Sequence, residues 1–412
     1  MSPAPRAGLR QLFEAAVAAA QPARVLPAAL PPPPRGRTVV LGLGKGAWAM
    51  GAALEAAWPA ERPLSGVLVA PRGSPRPALQ RLQALEGAHP VPDASSLAAA
   101  QALLTATQGL GPDDLVIALL SGGASALATL PLPGLSLADL QAVNRALLAS
   151  GAPIDAMNTL RKHLCALKGG RLAATCVSAP LLTLAISDIP GDRLDLIGSG
   201  PTLADPSTCA DALDVAQTYG IPLTGAALQG LRSGAFETPK GLPAAHRVQL
   251  LASPALALQA AAKLAQGWGL RVELLGDALQ GEARELGHAL AQRCQAPGLY
   301  LSGGETTVTL RHAQPGQGGR NAECLLAALL TWHGRPGVHA LMADTDGIDG
   351  ASPWAGATCG PKTWARAQAQ GLDLAAALER HDAGGAFHAL GESLLTGPTG
   401  TNVNDFRAIW VG

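Results

Sequence analysis

The sequence predicts an α/β protein of two domains with mainly parallel sheets. Three observations carry that expectation. Short apolar runs alternate with longer Ala/Leu-rich stretches along the 412 residues, the pattern of repeated β and α elements. Several of the runs are apolar throughout, as strands covered on both faces are. The length suffices for two or three domains with cores of their own.

The elements follow in order. Arg6 and Arg10 precede an apolar run, as in a signal peptide, but Glu14 interrupts it. The pattern Leu9, Leu12, Phe13, Ala16, Val17 has helical spacing and predicts a first amphipathic helix ending near Pro22. Pro31 to Arg37 is a stiff spacer. Strands are expected at Thr38–Leu41, Gly66–Ala70, Leu115–Leu120, Leu181–Ile186 and Arg247–Leu251, then at Leu270–Leu275, Gly298–Ser302, Thr306–Leu310, His339–Ala343 and Ala408–Val411. The polar, turn-rich stretch Gly230–Pro243 marks a boundary, giving a first domain of residues 1–240 and a second of 241–412.

Composition removes several classes of function. Thirty basic and thirty acidic residues leave no net charge, and aromatics are 3%. There is neither a basic field nor a stacking surface for nucleic acid. No run approaches the ~18 apolar residues of a membrane helix. The six cysteines are scattered without metal-ligand spacing, as in reduced cytoplasmic proteins. A soluble cytoplasmic protein, monomer or homodimer, is expected.

The chemistry is concentrated in loops after strands. In "VVLGLGKGAWAMG", Gly42, Gly44 and Ala47 fit a relaxed dinucleotide fingerprint, while Lys45 inside the turn suits a phosphate that moves. No acid ends the next run; Pro71-Arg72 does, which leaves an NADP site open. "SGG" follows an apolar run twice, at Ser121, Gly122, Gly123 and at Ser302, Gly303, Gly304, where strand ends would offer backbone N–H groups to anions. On a continuous helix, Arg161, Lys168 and Arg171 would share one face before the Gly169-Gly170 turn, suiting an anionic substrate. Asp188 ends an apolar run, placed to hold a metal or accept a proton. Glu305 follows the second Gly-Gly. Arg320 and Asn321 enter an apolar helix from a glycine loop, where guanidinium and helix N-terminus could meet a phosphate and Asn321 could serve as an N-cap. Asp344, Asp346 and Asp349 lie on one loop, but Ala355 stands where a calcium loop needs its glutamate, so a magnesium–phosphate role fits better. Asn402, Asn404 and Asp405 precede the last strand. No serine-hydrolase or zinc-histidine pattern is present. Strand-end loops with glycines, carboxylates and a few cations suit phosphoryl transfer from Mg-ATP.

In this order, "GLGKGAWAMG", "SGGASAL", "NTLRKHLCALKGGRLA", "SDIPGDRLDLIGSGPT", "SGGETTVTL…GQGGRNAE", "ADTDGIDG" and "GTNVNDF" resemble the glycerate 2-kinase family, over nearly the whole chain. The resemblance implies a Rossmann-like N-terminal domain and a C-terminal domain with the leucine-rich "multi-organism fragment" at about 298–412. It implies an active site in the interdomain cleft and ATP-dependent phosphorylation of D-glycerate at the 2-hydroxyl. It places active-site roles on Lys45 and Arg320. Asp188 is expected beside them as a proton acceptor, or as a Mg2+ ligand with Asp344 and Asp346. Gly44, Ser121–Gly123, Lys168, Ser302–Glu305, Asn321 and Asn404 are expected around substrate and phosphate. Family members often carry the label hydroxypyruvate reductase, so an NAD(P)H-dependent reductase is the alternative.

Overall fold

The structure is a computed structural model that describes residues 3–242, 245–310 and 315–412. It divides into two compact units. One is Val25–Leu251; the other is Ala252–Gly412 with the N-terminal segment up to Arg24. The C-terminal end of the expected boundary stretch, at Pro243, lies outside the described residues.

The first unit is a six-stranded sheet whose strands end in the functional loops. They are β1 (Thr38–Leu43), β2 (Leu64–Pro71), β3 (Gln83–Gly87), β4 (Leu115–Leu120), β5 (Leu181–Ile186) and β6 (His246–Ala252), in the order β3-β2-β1-β4-β5-β6. β1 pairs in parallel with β2 and β4, β2 with β3, and β4 with β5. β1, β4 and β5 are buried along their whole length, which explains why their sequences are almost wholly apolar, with Thr38 and Thr183 the exceptions. The strand order reverses between β1 and β4. Open parallel sheets bind ligands at such a switch point, outside the carboxyl ends of the strands.

The second unit carries β7 (Val272–Glu282), β8 (Gly298–Thr307), β9 (Val338–Asp344), β10 (Gly356–Cys359), β11 (Ser393–Leu394) and β12 (Asp405–Val411), in the order β11-β10-β9-β12-β8-β7. Only β7 and β8 run parallel there; β12 is antiparallel to β8 and β9, and β10 to β9 and β11. The expectation of mainly parallel sheets therefore describes the first unit, and the second departs from it. The cause is physical. Burial on both faces makes a strand apolar whatever its direction, so β9 and β12 look parallel in sequence.

Two sequence assignments change. Gly298–Ser302 and Thr306–Leu310 were expected as separate strands, but one strand, β8, covers the first and continues to Thr307, and residues 308–310 are not in a strand. The first helix, Pro5–Ala19, packs in the second unit. Its Leu9, Leu12, Phe13 and Ala16 are buried, the Phe13 ring meets Phe406 edge-on at 5.9 Å, and the Thr401 hydroxyl donates to Ala20 O at 2.7 Å. Among the described residues no helix is long and apolar enough to cross a membrane.

Candidate active site

At the switch point the glycine turn after β1 is locked onto the turn after β4. Lys45 N–H donates to Gly122 O at 2.9 Å and Gly46 N–H to Ser121 Oγ at 2.9 Å. Gly44, at φ 124, leaves no room for a side chain, because a Cβ would collide with the Ser121 carbonyl and hydroxyl. The first glycine loop thus has its amides already engaged inside the protein. The turn after β4 supplies the acceptors for that lock and carries Gly123 at a left-handed φ of 75. Of the two Ser-Gly-Gly stretches, Ser121–Gly123 does form a turn just past a strand end, packed against Gly44.

Three side chains converge on that turn. A Cβ at Gly122 would overlap the Asp188 carboxylate, so Asp188 lies against the turn. A Cβ at Gly123 would lie 3.2 Å from Lys45 Cγ and 3.6 Å from His89 Nε2. Lys45 is exposed. His89 titrates below the ordinary histidine range, first because it is partly buried, then because of the charges of Lys45 and Arg161. A neutral imidazole beside two cations marks a positive corner.

The cation stripe expected on one helix is not formed. The helix Ile154–Leu164 stops before Cys165, and Gly169 and Gly170 take left-handed φ values of 58 and 81. Arg171 turns away and ties Lys162 O and Phe236 O at 2.8 and 2.7 Å. Arg161 and Lys168 instead line one small cavity with Ser125, Thr129 and Asn144.

In the second unit the predicted residues form a dense ion network. Arg320 opens the helix Arg320–Trp332. Its Nη1 donates to Glu305 at 2.8 Å, its Nη2 to Asp344 at 2.7 Å and its Nε to Asp405 at 2.8 Å. Asp405 also accepts from Asn321 Nδ2 at 2.7 Å and pairs with the fully buried Arg407. Asn321 is not the N-cap. Gly319 holds that position, and Asp349 accepts from the N–H groups of Asn321 and Ala322 at 3.0 and 2.8 Å. Asp344 ends β9 and is held well above the carboxylate range, first by burial and then by Asp346, with Arg320 pulling the other way. Asn404 adopts φ 61, and its carbonyl accepts from Thr345 Oγ1 at 2.7 Å.

Two expected roles change here. Ser302, Gly303 and Gly304 are interior residues of β8, paired opposite Arg407, Phe406 and Asp405, so they form no strand-end turn and no anion cradle. Arg320 is no uncommitted phosphate ligand, because every arm of its guanidinium holds a carboxylate.

Comparison with known proteins places this arrangement. Residues 8–231 match a domain of unknown function (DUF4147), and residues 298–405 match the MOFRL family. A D-glycerate 2-kinase from Thermotoga maritima is 36% identical over 96% of this chain and 95% of its own. The chain belongs to the glycerate kinase family. A crystal structure of glycerate kinase from Thermotoga maritima superposes with a TM-score of 0.88, at 35% identity, over 98% of both chains. A protein from Agrobacterium vitis named putative hydroxypyruvate reductase is 50% identical over 98% of this chain and 94% of its own.

Within this glycerate kinase fold, sequence reasoning missed His89 and Arg407. His89 follows β3, whose sequence QALEG carries no apolar run to announce a strand end. Arg407 was visible as an arginine inside an otherwise apolar strand, a signal that a buried partner must exist.

Proposed function

We propose that this protein phosphorylates D-glycerate at its 2-hydroxyl with ATP, giving 2-phosphoglycerate and ADP. The observation that carries this is the corner at the switch point, where Lys45 and His89 lie beside the Gly122–Gly123 turn and Asp188 lies against it. The similarity to D-glycerate 2-kinase over nearly the full chain supports the same activity.

In that reaction Lys45 and the amides of Gly122 and Gly123 face the oxygens of the transferring phosphoryl group. Charge neutralisation there is most of the catalysis. Asp188 accepts the hydroxyl proton as the substrate oxygen attacks phosphorus. Lys168 binds the substrate anion. Arg320 acts as a positioning residue, holding Glu305, Asp344 and Asp405 in one arrangement. Asn321 and Asn404 buttress the same network.

Asp344 and Asp346 suit Mg2+. They are hard oxygen donors, and the charge of Asp346 raises the Asp344 titration, a repulsion that a cation would relieve. Bound Mg2+ would supply charge neutralisation for the nucleotide phosphates.

The reductase alternative fits the site less well. The first glycine loop has its amides engaged with β2 and β4, where a dinucleotide pyrophosphate would need them. Arg72, the candidate for a 2′-phosphate, is paired with Asp93 at 3.2 Å. The six free, buried cysteines suit a reducing cytoplasm.

One purified sample divided between two assays tests this. Mg-ATP with D-glycerate is expected to give ADP and 2-phosphoglycerate; NADPH or NADH with hydroxypyruvate is expected to show no oxidation. Nicotinamide oxidation without ADP would overturn the assignment.

A further inference from the structure

Several buried or partly buried cations in this protein sit against carboxylates. Lys162 has Asp205 at 3.1 Å and Asp195 at 3.5 Å, Arg284 has Glu323 at 3.0 Å, and Arg407 has Asp405. That is the expected condition, since a charge removed from water needs a counter-charge nearby.

Arg161 and Lys168 break the pattern. Among the described residues neither makes an ion pair. Arg161 Nε and Nη2 both donate to Asn144 Oδ1, at 2.9 and 2.6 Å. Lys168 Nζ, which is buried, reaches Ala128 O at 3.4 Å, Thr129 Oγ1 at 3.3 Å and Cys165 Sγ at 3.5 Å. These contacts are long for an ammonium. Burial brings the Arg161 guanidinium down to about 10, the direction of a cation lacking an opposite charge.

Both side chains line the same cavity, of about 30 Å³. Leu140, Val143 and Leu164 form its apolar wall, and Ser125 and Thr129 add hydroxyls. A space of that size has room for a small polar group such as a carboxylate. Ser125 is two residues past Gly123, and the charge of Arg161 reaches His89, so the cavity adjoins the Lys45 corner.

We propose that this cavity is the carboxylate pocket for the substrate, with Arg161 and Lys168 as its binding residues. The proposal rests on the glycerate kinase reading. In glycerate the 2-hydroxyl sits on the carbon next to the carboxylate. Anchoring the carboxylate here aims the reacting oxygen at Lys45 and Asp188. It also makes charge the basis of selection: glyceramide or glycerol, lacking the anion, leaves both cations uncompensated and is rejected.

The test varies D-glycerate and Mg-ATP separately for the wild type, Arg161→Gln, Arg161→Lys and Lys168→Met. Arg161→Gln and Lys168→Met are expected to raise the glycerate KM ~100-fold or more while leaving the ATP KM unchanged. Arg161→Lys should recover part of the loss. A rise in the ATP KM alone, or no change in either, overturns the pocket.

Thermal unfolding of the wild type keeps the proposal falsifiable if the variants do not fold. D-glycerate should raise Tm in the presence of ADP, and glyceramide should not. Equal shifts, or none, overturn it. Cys165→Ala addresses the remaining rival, a thiolate as the resident counter-charge. That rival predicts a sharp fall in Tm as the ammonium loses its partner, whereas the carboxylate pocket predicts little change. Wild type that binds D-glycerate in this way but forms no ADP would defeat the kinase reading and leave the pocket standing.

Discussion

Lys162 and Arg161 are neighbours on one helix, yet they illustrate two opposite ways of burying a positive charge. Lys162 is enclosed by Asp205 and Asp195. Arg161 faces a cavity and donates to the amide oxygen of Asn144. The contrast recurs between the two units. In the second, Arg320 is surrounded by Glu305, Asp344 and Asp405, with Asp346 and Asp349 close by in the same chemistry. That region carries more carboxylates than cations and is suited to receive a cation. In the first unit, Arg161 and Lys168 line one cavity and, among the described residues, have no carboxylate beside them.

Arg320→Met is the strongest way to break the comparison. It leaves Glu305, Asp344 and Asp405 facing one another without their cation, and a loss of roughly 5 kcal/mol in unfolding free energy is expected. Adding Asp344→Asn should return part of that loss, because the two residues share one interaction. Urea unfolding of the four proteins in the cycle measures it. Purely additive effects would show that the network is not the unit described here.

Lys45→Ala probes the other side. Lys45 is exposed, so the fold should hold, while kcat/KM should fall ~1,000-fold, about 4 kcal/mol of transition-state stabilisation. Steady-state kinetics with a circular dichroism spectrum decide it. A well-folded, fully active variant would remove the anion corner from the reaction.

The two buried lysines offer a sharper test of the same idea. Lys162→Met strands Asp205 and should cost about 3–4 kcal/mol. Lys168→Met strands no carboxylate and should cost under about 1 kcal/mol without substrate, despite equal burial. Chemical denaturation of both variants separates them. Equal losses would mean that Lys168 has a counter-charge of its own.

Much of this was legible in the sequence, for identifiable reasons. The strand-end positions of Lys45, Ser121 and Asp188 were readable because β1, β4 and β5 are almost wholly apolar and end at glycine or at a polar residue. The direction of β8, β9 and β12 was not, since burial and not direction sets their composition. Ser302–Gly304 misled because Gly-Gly marks a turn when it ends a strand and a close backbone approach when it does not. Spacing alone also could not tell which of the cations at 161, 162, 168 and 171 would find carboxylates. Lys162 finds Asp195 and Asp205 and Arg171 finds the backbone carbonyls of Phe236 and Glu237, all far along the chain, and only tertiary folding decides which side chain meets a carboxylate.

The last test is a pH dependence on the acidic side. Burial brings the Asp349 carboxyl up to about 6, even though the N–H groups of Asn321 and Ala322 pull it down. The folded protein therefore keeps a proton through the interval from about 4 to 6, where the unfolded chain has released it. Stability from this group is fully present below about 4 and is lost as pH rises through 6, a loss on the order of 2–3 kcal/mol. Asp349→Asn keeps one acceptor oxygen for the helix amides and removes the titration. Unfolding midpoints of wild type and variant at pH 4, 5, 6 and 7 should converge or cross, with the variant gaining on the wild type as pH rises. A pH-independent difference would mean that Asp349 is held by its helix amides as strongly charged as Asp205 is by Lys162, and that the carboxylate excess around Arg320 is smaller than its geometry implies.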